Sequence, residues 1–143
     1  MVWPAQKPIS VRISATDWAP QGFDSAQSVE AAFLLKAHGC DIIDVSTGQT
    51  TPLAQPVYGR MYQAPFADRI RNEVHIPTMS VGNIQNWDHI NTLLVAGACD
   101  LCVLARPHLY DPYLTLHAAA EQDYDVPWPN QYLPAKPRLH RDS

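Results

Sequence analysis

A chain of 143 residues is long enough for one domain and too short for two of ordinary size. Hydrophobic residues make up 46% of it, which argues against wholesale disorder. The 10 basic and 14 acidic side chains give a net charge of −4 without any block of like charge, which argues against a nucleic-acid surface. No apolar run reaches the length of a membrane helix, and the first ten residues lack the apolar core of a signal peptide, so we expect a cytoplasmic protein with no membrane span.

Short apolar runs alternate with helical stretches along the chain. The runs are rich in β-branched residues and have the length of strands that are buried on both faces of a sheet. They cover residues 9–15, 41–46, 77–82 and 100–105. Helices are predicted after them, over residues 24–39, 63–73, 86–97 and 110–122. Four strand–helix units in succession predict a parallel sheet.

The predicted helices carry recognisable start signals. Asp24 or Ser25 can cap the first helix, whose apolar stripe is predicted to include Phe33. The last helix is predicted to begin with Asp111 as its cap and Pro112 at the first helical position, where a missing N–H costs nothing.

Two architectures accommodate four strand–helix units. One is a small doubly wound sheet, which the chain length alone favours. The other is half of an eight-stranded (β/α)8 barrel, because a complete barrel needs ~250 residues. A half barrel leaves two open strand edges, which favour pairing with another chain or segment.

Two segments fall outside this pattern of strands and helices. Residues 47–63 form a long loop directly after the second strand, on the side where α/β proteins place their sites. Residues 127–143 are rich in proline and are predicted to form an extended or loose arm, which leaves residues 1–126 as the βα domain.

Three cysteines, Cys40, Cys99 and Cys102, do not make a disulfide framework. Cys99 and Cys102 form a C-x-x-C motif, which elsewhere indicates redox or zinc chemistry. Here they lie in a predicted strand, where residues three apart point to opposite faces, and no second pair completes a zinc site. We therefore interpret them as buried structural cysteines, with no metal site.

The ends of the last two predicted strands carry residues suited to a phosphate. Phosphate commonly binds in the loops after the last two strands of a (β/α)8 barrel. Gly82 has no side chain, so a ligand could approach the backbone amides of Gly82 and Asn83. Arg106 could hold two phosphate oxygens with its planar guanidinium, beside the amides of Ala105 and Arg106. A tight turn and a surface ion pair are the alternative explanations.

Arg12 lies inside the first apolar strand. An unpaired charge is expensive there, so the guanidinium must meet either a carboxylate or a negatively charged ligand. The sequence leaves both alternatives open.

The series VRISATDW, DIIDVSTG, YQAPFADRIR, PTMSVGNI and LCVLARPHLYDPY resembles the C-terminal half of the old yellow enzyme family of FMN-dependent NAD(P)H oxidoreductases. The resemblance covers nearly the whole chain. The segments YGRMYQAPFADRIR and LARPHLYDPYLTLHAAAEQ are most similar to the branch represented by the oxidoreductase domains of salicylyl-CoA 5-hydroxylase and anthraniloyl-CoA monooxygenase, which are fused behind a monooxygenase.

This resemblance implies a fold, a cofactor and roles for five residues. The strands would be the fifth to eighth of a (β/α)8 barrel. FMN would be the cofactor and NAD(P)H the reductant, with Arg12 at the edge of the flavin ring. Gly82, Asn83, Ala105 and Arg106 would hold the FMN phosphate, although the family usually has glycine where this chain has Ala105.

The long loop offers weaker candidates for the substrate side, namely Tyr58, Arg60 and Tyr62. The substrate would be an activated alkene or a compound derived from an aromatic CoA thioester. By the same resemblance, the family's substrate-binding histidine pair and its tyrosine proton donor belong to the N-terminal half, and the six histidines here form no such pair.

The expected partners are therefore an N-terminal barrel half or a fused monooxygenase domain. Two alternatives stay open: a truncated or complementing subunit without activity of its own, and a different phosphate-binding βα protein.

Overall fold

The computed structural model describes residues 3–4 and 6–138 of the chain. Strands and helices alternate along them as β1 (Ser10–Ser14), α1 (Ser25–Ala37), β2 (Ile42–Ser46), α2 (Ala64–Val74), β3 (Thr78–Val81), α3 (Trp87–Val95), β4 (Leu101–Val103), α4 (Arg106–Tyr110) and α5 (Leu114–Glu121). A 3₁₀ helix, Asn130–Ala135, follows. The four predicted strands and the first three predicted helices are confirmed, with ends that differ by a few residues.

The four strands form one parallel sheet in the order β1-β2-β3-β4. Arg12 lies opposite Asp44, Asp44 opposite Met79, and Met79 opposite Leu101. A crossover between parallel strands is nearly always right-handed, so a strand order that never reverses places the connecting helices on the same face of the sheet.

The hydrophobic core lies on this helix-covered face. Ile43 and Val45 of β2 are fully buried, as are Ala67 and Ile70 of α2, and all four belong to one cluster. Side chains alternate along a strand, so Asp44, between Ile43 and Val45, points to the opposite face.

No helix of residues 3–4 and 6–138 covers the opposite face of the sheet. It carries the register neighbours of Asp44, including Arg12 and Met79, and none of these three belongs to the core cluster of the described residues. A doubly wound sheet has helices on both faces. A single helix layer is the arrangement of a partial (β/α)8 barrel, whose bare face would line the barrel interior, and β1 and β4 are its two open edges among the described residues.

Side-chain caps fix where two of the helices begin. Asp24 caps α1 by accepting hydrogen bonds from the backbone N–H groups of Ala26 and Gln27, and the Gln27 side chain accepts from the Asp24 N–H in return. Asn86 caps α3 by accepting from the His89 N–H at 3.0 Å. Of the two candidate caps for α1, Asp24 is therefore the one used.

The predicted start of the last helix is wrong. The short helix α4 precedes the predicted start of the last helix, and Asp111 ends α4, with its N–H donating to the Pro107 carbonyl. The carboxylate of Asp111 accepts from the Tyr113 N–H, and α5 begins only at Leu114. Asp111 thus closes one helix and bends the chain towards the next one.

The predicted inward position of Phe33 is also wrong, because its side chain is 50% exposed. The buried arc of α1 is narrow and consists of Ser28, Val29 and Ala32. Ser28 can be buried because its hydroxyl donates to the Ser25 carbonyl inside the helix.

The chain after α5 packs back on that helix. The hydroxyl of Tyr113 donates to that of Tyr132 at 2.7 Å, and Lys136 bonds to Asp125 and to the Val126 carbonyl. The predicted arm ends in residues 139–143, which lie outside the described residues. Among the residues the structure describes, no helix combines the length and the apolar character that crossing a membrane requires.

Candidate functional site

A cavity of about 410 Å³ lies at the carboxyl ends of β3 and β4. Four of the five residues predicted to bind the cofactor line it, namely Gly82, Asn83, Ala105 and Arg106. The strands are adjacent and parallel, so the turns that follow them meet at one edge of the sheet. The fifth predicted residue, Arg12, does not line this cavity.

The turn after β3 adopts left-handed backbone conformations at two consecutive residues. Gly82 has φ +106° and Asn83 has φ +54°. The Asn83 side chain is occupied within the protein: it donates to the Gly59 carbonyl at 2.7 Å and accepts from the Gln85 side chain at 2.9 Å. Asn83 therefore offers a ligand its backbone rather than its side-chain amide.

Gln63 is a functional candidate that the sequence did not reveal. Its side chain is buried and links the ends of two strands. Its Oε1 accepts from the Thr47 hydroxyl at 2.7 Å, after β2, and its Nε2 donates to the Val81 carbonyl at 2.9 Å, in β3. A glutamine at the start of a predicted helix is expected to be exposed. Only its contact with the next strand shows its role.

Gln63 gives a further reason for a glycine at position 82. The sequence suggests that the glycine lets a ligand approach the backbone. In the structure, a Cβ at residue 82 would lie 2.8 Å from Cδ of Gln63, so the missing side chain makes room for Gln63. The left-handed φ is a second, independent requirement for glycine at this position.

Arg106 is the most available cation of the cavity. It is the first residue of α4, its side chain is exposed, and it makes no hydrogen bond or ion pair within residues 3–4 and 6–138. An unpaired guanidinium beside an irregular backbone turn can take a doubly charged oxyanion in bidentate fashion.

A second cavity, of about 830 Å³, extends from the first along the β2–α2 loop. Asn83 and Arg106 line both cavities. Tyr58 and Tyr62 line the second, with their rings packed edge to face at 5.3 Å, whereas Arg60 does not. Two of the three substrate-side candidates therefore lie next to the cavity that contains Arg106.

Arg12 pairs with a carboxylate, which is one of the two alternatives that the sequence left open. Its Nε lies 3.0 Å from Oδ2 of Asp44, its register neighbour on β2. The Asp44 side chain is only 15% exposed, and its Oδ1 is buried without a hydrogen-bond partner among the described residues. The Arg12 side chain is 55% exposed, so its guanidinium also remains accessible on the bare face of the sheet.

The two cysteines of the C-x-x-C motif lie at the other end of β4. Their sulfurs are 3.8 Å apart, so the prediction that they point to opposite faces is wrong. The strand begins only at Leu101, and Cys99 precedes it, so the alternation of a strand does not apply to the pair. The structure has no group of three or more potential metal ligands within the described part of the chain.

The fold and the cavities define a partial barrel with an open, arginine-lined site at the carboxyl ends of its last two strands. Residues 3–124 match the NADH:flavin oxidoreductase / NADH oxidase family, and the chain belongs to this family. The predicted class, FMN-dependent NAD(P)H oxidoreductases with a (β/α)8 barrel, is thereby confirmed at the level of the family.

Several relatives of the chain are NADPH dehydrogenases. The chain is 38% identical to an NADPH dehydrogenase of Listeria monocytogenes over 125 residues, which cover 87% of this chain and 37% of that protein. Two Geobacillus NADPH dehydrogenases match at 39% over 125 residues (87% of this chain, 36% of that one) and at 42% over 114 residues (80% and 33%). The chain thus spans about a third of the length of these curated relatives.

One solved structure is also similar. It is a dihydropteroate synthase from Anaplasma phagocytophilum with bound 6-hydroxymethylpterin-monophosphate, 20% identical, which aligns with 83% of this chain and 47% of that one. Its TM-score of 0.46 is too low to support a conclusion about ligand or mechanism.

Proposed function

We propose that this chain is the C-terminal part of an FMN-dependent NAD(P)H oxidoreductase and that it supplies the segment of the barrel that binds the FMN phosphate. The observation that carries the proposal is the convergence of Gly82, Asn83, Ala105 and Arg106 on one cavity in a member of a flavin-dependent family. The whole enzyme would pass hydride from NAD(P)H to an activated alkene or to a compound derived from an aromatic CoA thioester.

The residues of the cavity fit a flavin phosphate. Arg106 has no side-chain partner among the residues that the structure describes, so it would bind the phosphate dianion without breaking an ion pair recorded there. The backbone of Gly82, Asn83 and Ala105 would complete the cradle, and a substitution of glycine by alanine at residue 105 leaves a backbone contact available. FMN supplies the hydride relay between nicotinamide and substrate when it is bound, while the protein positions the groups and sets the charge around them.

Arg12 would serve the ring end of the cofactor rather than the phosphate. It lies on the bare face of the sheet, which is the interior of a complete barrel, and it keeps more than half of its side chain exposed. A fixed positive charge stabilises negative charge that develops during a reaction. Asp44, whose carboxylate forms an ion pair with Arg12, would hold the guanidinium in place.

A complete enzyme would need the rest of the barrel. The edges of β1 and β4 carry unpaired backbone groups, and an N-terminal barrel half would pair with both and cover the bare face. That half could be part of the same polypeptide or a separate subunit. A fused monooxygenase domain, as in salicylyl-CoA 5-hydroxylase and anthraniloyl-CoA monooxygenase, is the finer form of this proposal.

The phosphate role of Arg106 can be tested in a chimaera in which this chain replaces the matched segment of the Listeria monocytogenes NADPH dehydrogenase. Arg106→Ala should reduce the flavin retained through gel filtration, measured by visible absorption. Arg69→Ala is the matched control, since Arg69 lies on α2 and pairs with Glu73. Equal flavin retention in the Arg106→Ala and Arg69→Ala chimaeras would contradict the assignment, and a colourless parent chimaera that binds other phosphate esters would favour a different phosphate-binding protein.

A further inference from the structure

The C-x-x-C motif remains unexplained by the proposed function. Cys99 and Cys102 lie at the amino end of β4, away from the cavity at its carboxyl end. Their Sγ atoms are 3.8 Å apart, and both cysteines are reduced. A disulfide bond is ~2.05 Å long, so the sulfurs need to approach by less than ~2 Å. Cys99 precedes β4, so the hydrogen-bonding pattern of the sheet does not constrain its backbone.

Access to the two sulfurs is unequal. Cys99 is 2% exposed and belongs to the core cluster. Cys102 is partly exposed and lines a groove of about 630 Å³ next to α3 and α5. A reagent in this groove therefore meets Cys102 first, with Cys99 directly behind it.

The surroundings favour a thiolate at the inner position. The pKa of Cys99 is lowered, first by its hydrogen bond with the Cys102 thiol and then by the Ser80 backbone and the positive charge of Arg71, which together outweigh burial and the negative charge of Asp100. The pKa of Cys102 is raised by its bond to Cys99 and by burial. The pair therefore loses its first proton at a lower pH than an isolated cysteine does, and a thiolate is the reactive form in disulfide exchange.

We propose that Cys99 and Cys102 are a redox-active dithiol that low-molecular-weight disulfides of the glutathione class convert into an internal disulfide. This inference does not depend on flavin binding. Its site is a modification site on the outer, helix-covered side of the sheet, with Cys102 as the residue that reacts with the oxidant in the groove and Cys99 as the residue that closes the ring.

The reaction balances in two exchange steps. In the first, Cys102 passes its proton to the Cys99 thiolate across their hydrogen bond and the Cys102 sulfur attacks one sulfur of the oxidant. A Cys102–S–S–R bond forms, the oxidant's own S–S bond breaks, and the leaving thiolate takes up a proton from solvent. In the second, the Cys99 sulfur attacks Cys102 Sγ, the bond to the bound group breaks, and a second thiol leaves with the Cys99 proton. The two cysteines together lose two electrons, and one disulfide molecule becomes two thiols.

Cys40 provides an internal control. It is buried, its thiol bonds to the Ile42 carbonyl at 3.3 Å, and no other cysteine sulfur is recorded near it in the described residues. It should remain a free thiol under conditions that oxidise the pair.

The test uses the purified, reduced full chain, incubated in buffers of increasing glutathione disulfide and quenched with acid. Free thiols are then alkylated under denaturing conditions, and the intact mass is measured. We expect a species that has lost two protons, carries one alkyl group, on Cys40, and returns to three alkyl groups after reduction. The Cys40→Ser variant should form the same internal disulfide.

Two variants separate the roles of the cysteines. Cys99→Ser should accumulate a glutathione adduct at Cys102 that cannot close, and Cys102→Ser should stay unmodified, since Cys99 is buried. Far-UV circular dichroism checks that each variant folds. If a variant does not fold, the result for the wild-type chain decides the question by itself. Each of three results would overturn the proposal. The wild-type chain could keep a glutathione adduct, it could carry three alkyl groups at every concentration of glutathione disulfide, or Cys40 could be oxidised in parallel with the pair.

Discussion

The side chain of Gln63 fills the space that a Cβ on Gly82 would need. A Cβ at residue 82 would lie 2.8 Å from Gln63 Cδ, and the same amide group donates to the Val81 carbonyl and accepts from the Thr47 hydroxyl. Two strand ends and the turn that lines the candidate phosphate cavity are therefore held by one buried glutamine. The missing Cβ at residue 82 makes room for Gln63, and it would also leave the backbone open to a ligand.

Gly82→Ala should destabilise the chain and reduce flavin retention in the chimaera. A left-handed φ costs a non-glycine residue about 1–3 kcal/mol, and forcing an extra methyl group against Gln63 costs a further ~1–3 kcal/mol. Gly59→Ala is the matched control, because a Cβ there meets nothing within 4 Å. Urea denaturation measures the effect on stability, and equal midpoints for the two variants would contradict this account.

Gln63→Met keeps the volume of the side chain and removes its hydrogen bonds. The Val81 carbonyl and the Thr47 hydroxyl would then be buried with one partner fewer, which costs about 1–3 kcal/mol each where water cannot enter. Gln55→Met, at an exposed position with no side-chain hydrogen bond recorded in the described residues, should change stability by less than ~0.5 kcal/mol. If Gln63→Met is as stable as the wild type, the glutamine does not hold the strand ends together.

Arg12 and Asp44 should be energetically coupled. Arg12→Met leaves the Asp44 carboxylate, with one oxygen already unpartnered, on a face where it is mostly buried. Adding Asp44→Asn should recover part of the loss, with a coupling of about 0.5–3 kcal/mol in a double-mutant cycle of urea denaturations. A coupling of zero would mean that solvent screens the pair completely, and that Asp44 does not position Arg12.

The stability contribution of Asp100 should depend on pH. Burial raises the pKa of this carboxyl, but the hydrogen bonds from Arg71 and from the Thr78 N–H outweigh it, and the net pKa is lowered. A carboxyl whose pKa is lower in the folded than in the unfolded state binds fewer protons when folded. Its stabilisation is therefore present above the unfolded value, near 3.9, and is lost as the pH falls through the folded value.

Asp100→Asn should consequently lose stability at neutral pH, and the difference from the wild type should shrink as the solution is acidified below pH ~4. Urea denaturation at both ends of this range measures the difference. Asp88→Asn is the control, because it removes an exposed carboxylate with no recorded hydrogen bond in the described residues. Asp41→Asn is less informative, because the Asp41 carboxylate accepts from the Ile9 N–H. A difference that is independent of pH would contradict the assigned role of the Arg71 bond.

The sequence predicts most of the fold because its strands and helices have strong local signals. The apolar runs and the cap at Asp24 are enough to place the first three strand–helix units correctly. The start of α5 was mispredicted because Asp111 and Pro112 are equally suited to end one helix and begin another. The inward position of Phe33 was mispredicted because helical spacing gives the direction of a stripe but not the width of the buried arc.

The candidate site was predicted only in part, for a related reason. Gly82 follows β3 directly and Arg106 lies three residues after the end of β4, so adjacency of the strands is enough to bring them together. The role of Gln63 depends on contacts with residues 16 and 18 positions away, which no local pattern encodes. The close approach of Cys99 to Cys102 depends on where β4 begins, and a shift of one or two residues in that boundary decides it.

The most direct test of the central claim is the amount of FMN bound per polypeptide, read from the visible spectrum after gel filtration. The chain by itself should elute without flavin, and the same chain completed to a full barrel in the chimaera should elute yellow and oxidise NADPH. Tight binding of FMN and turnover of NADPH by the isolated chain would contradict the claim that these residues form only the phosphate-binding part of a larger site.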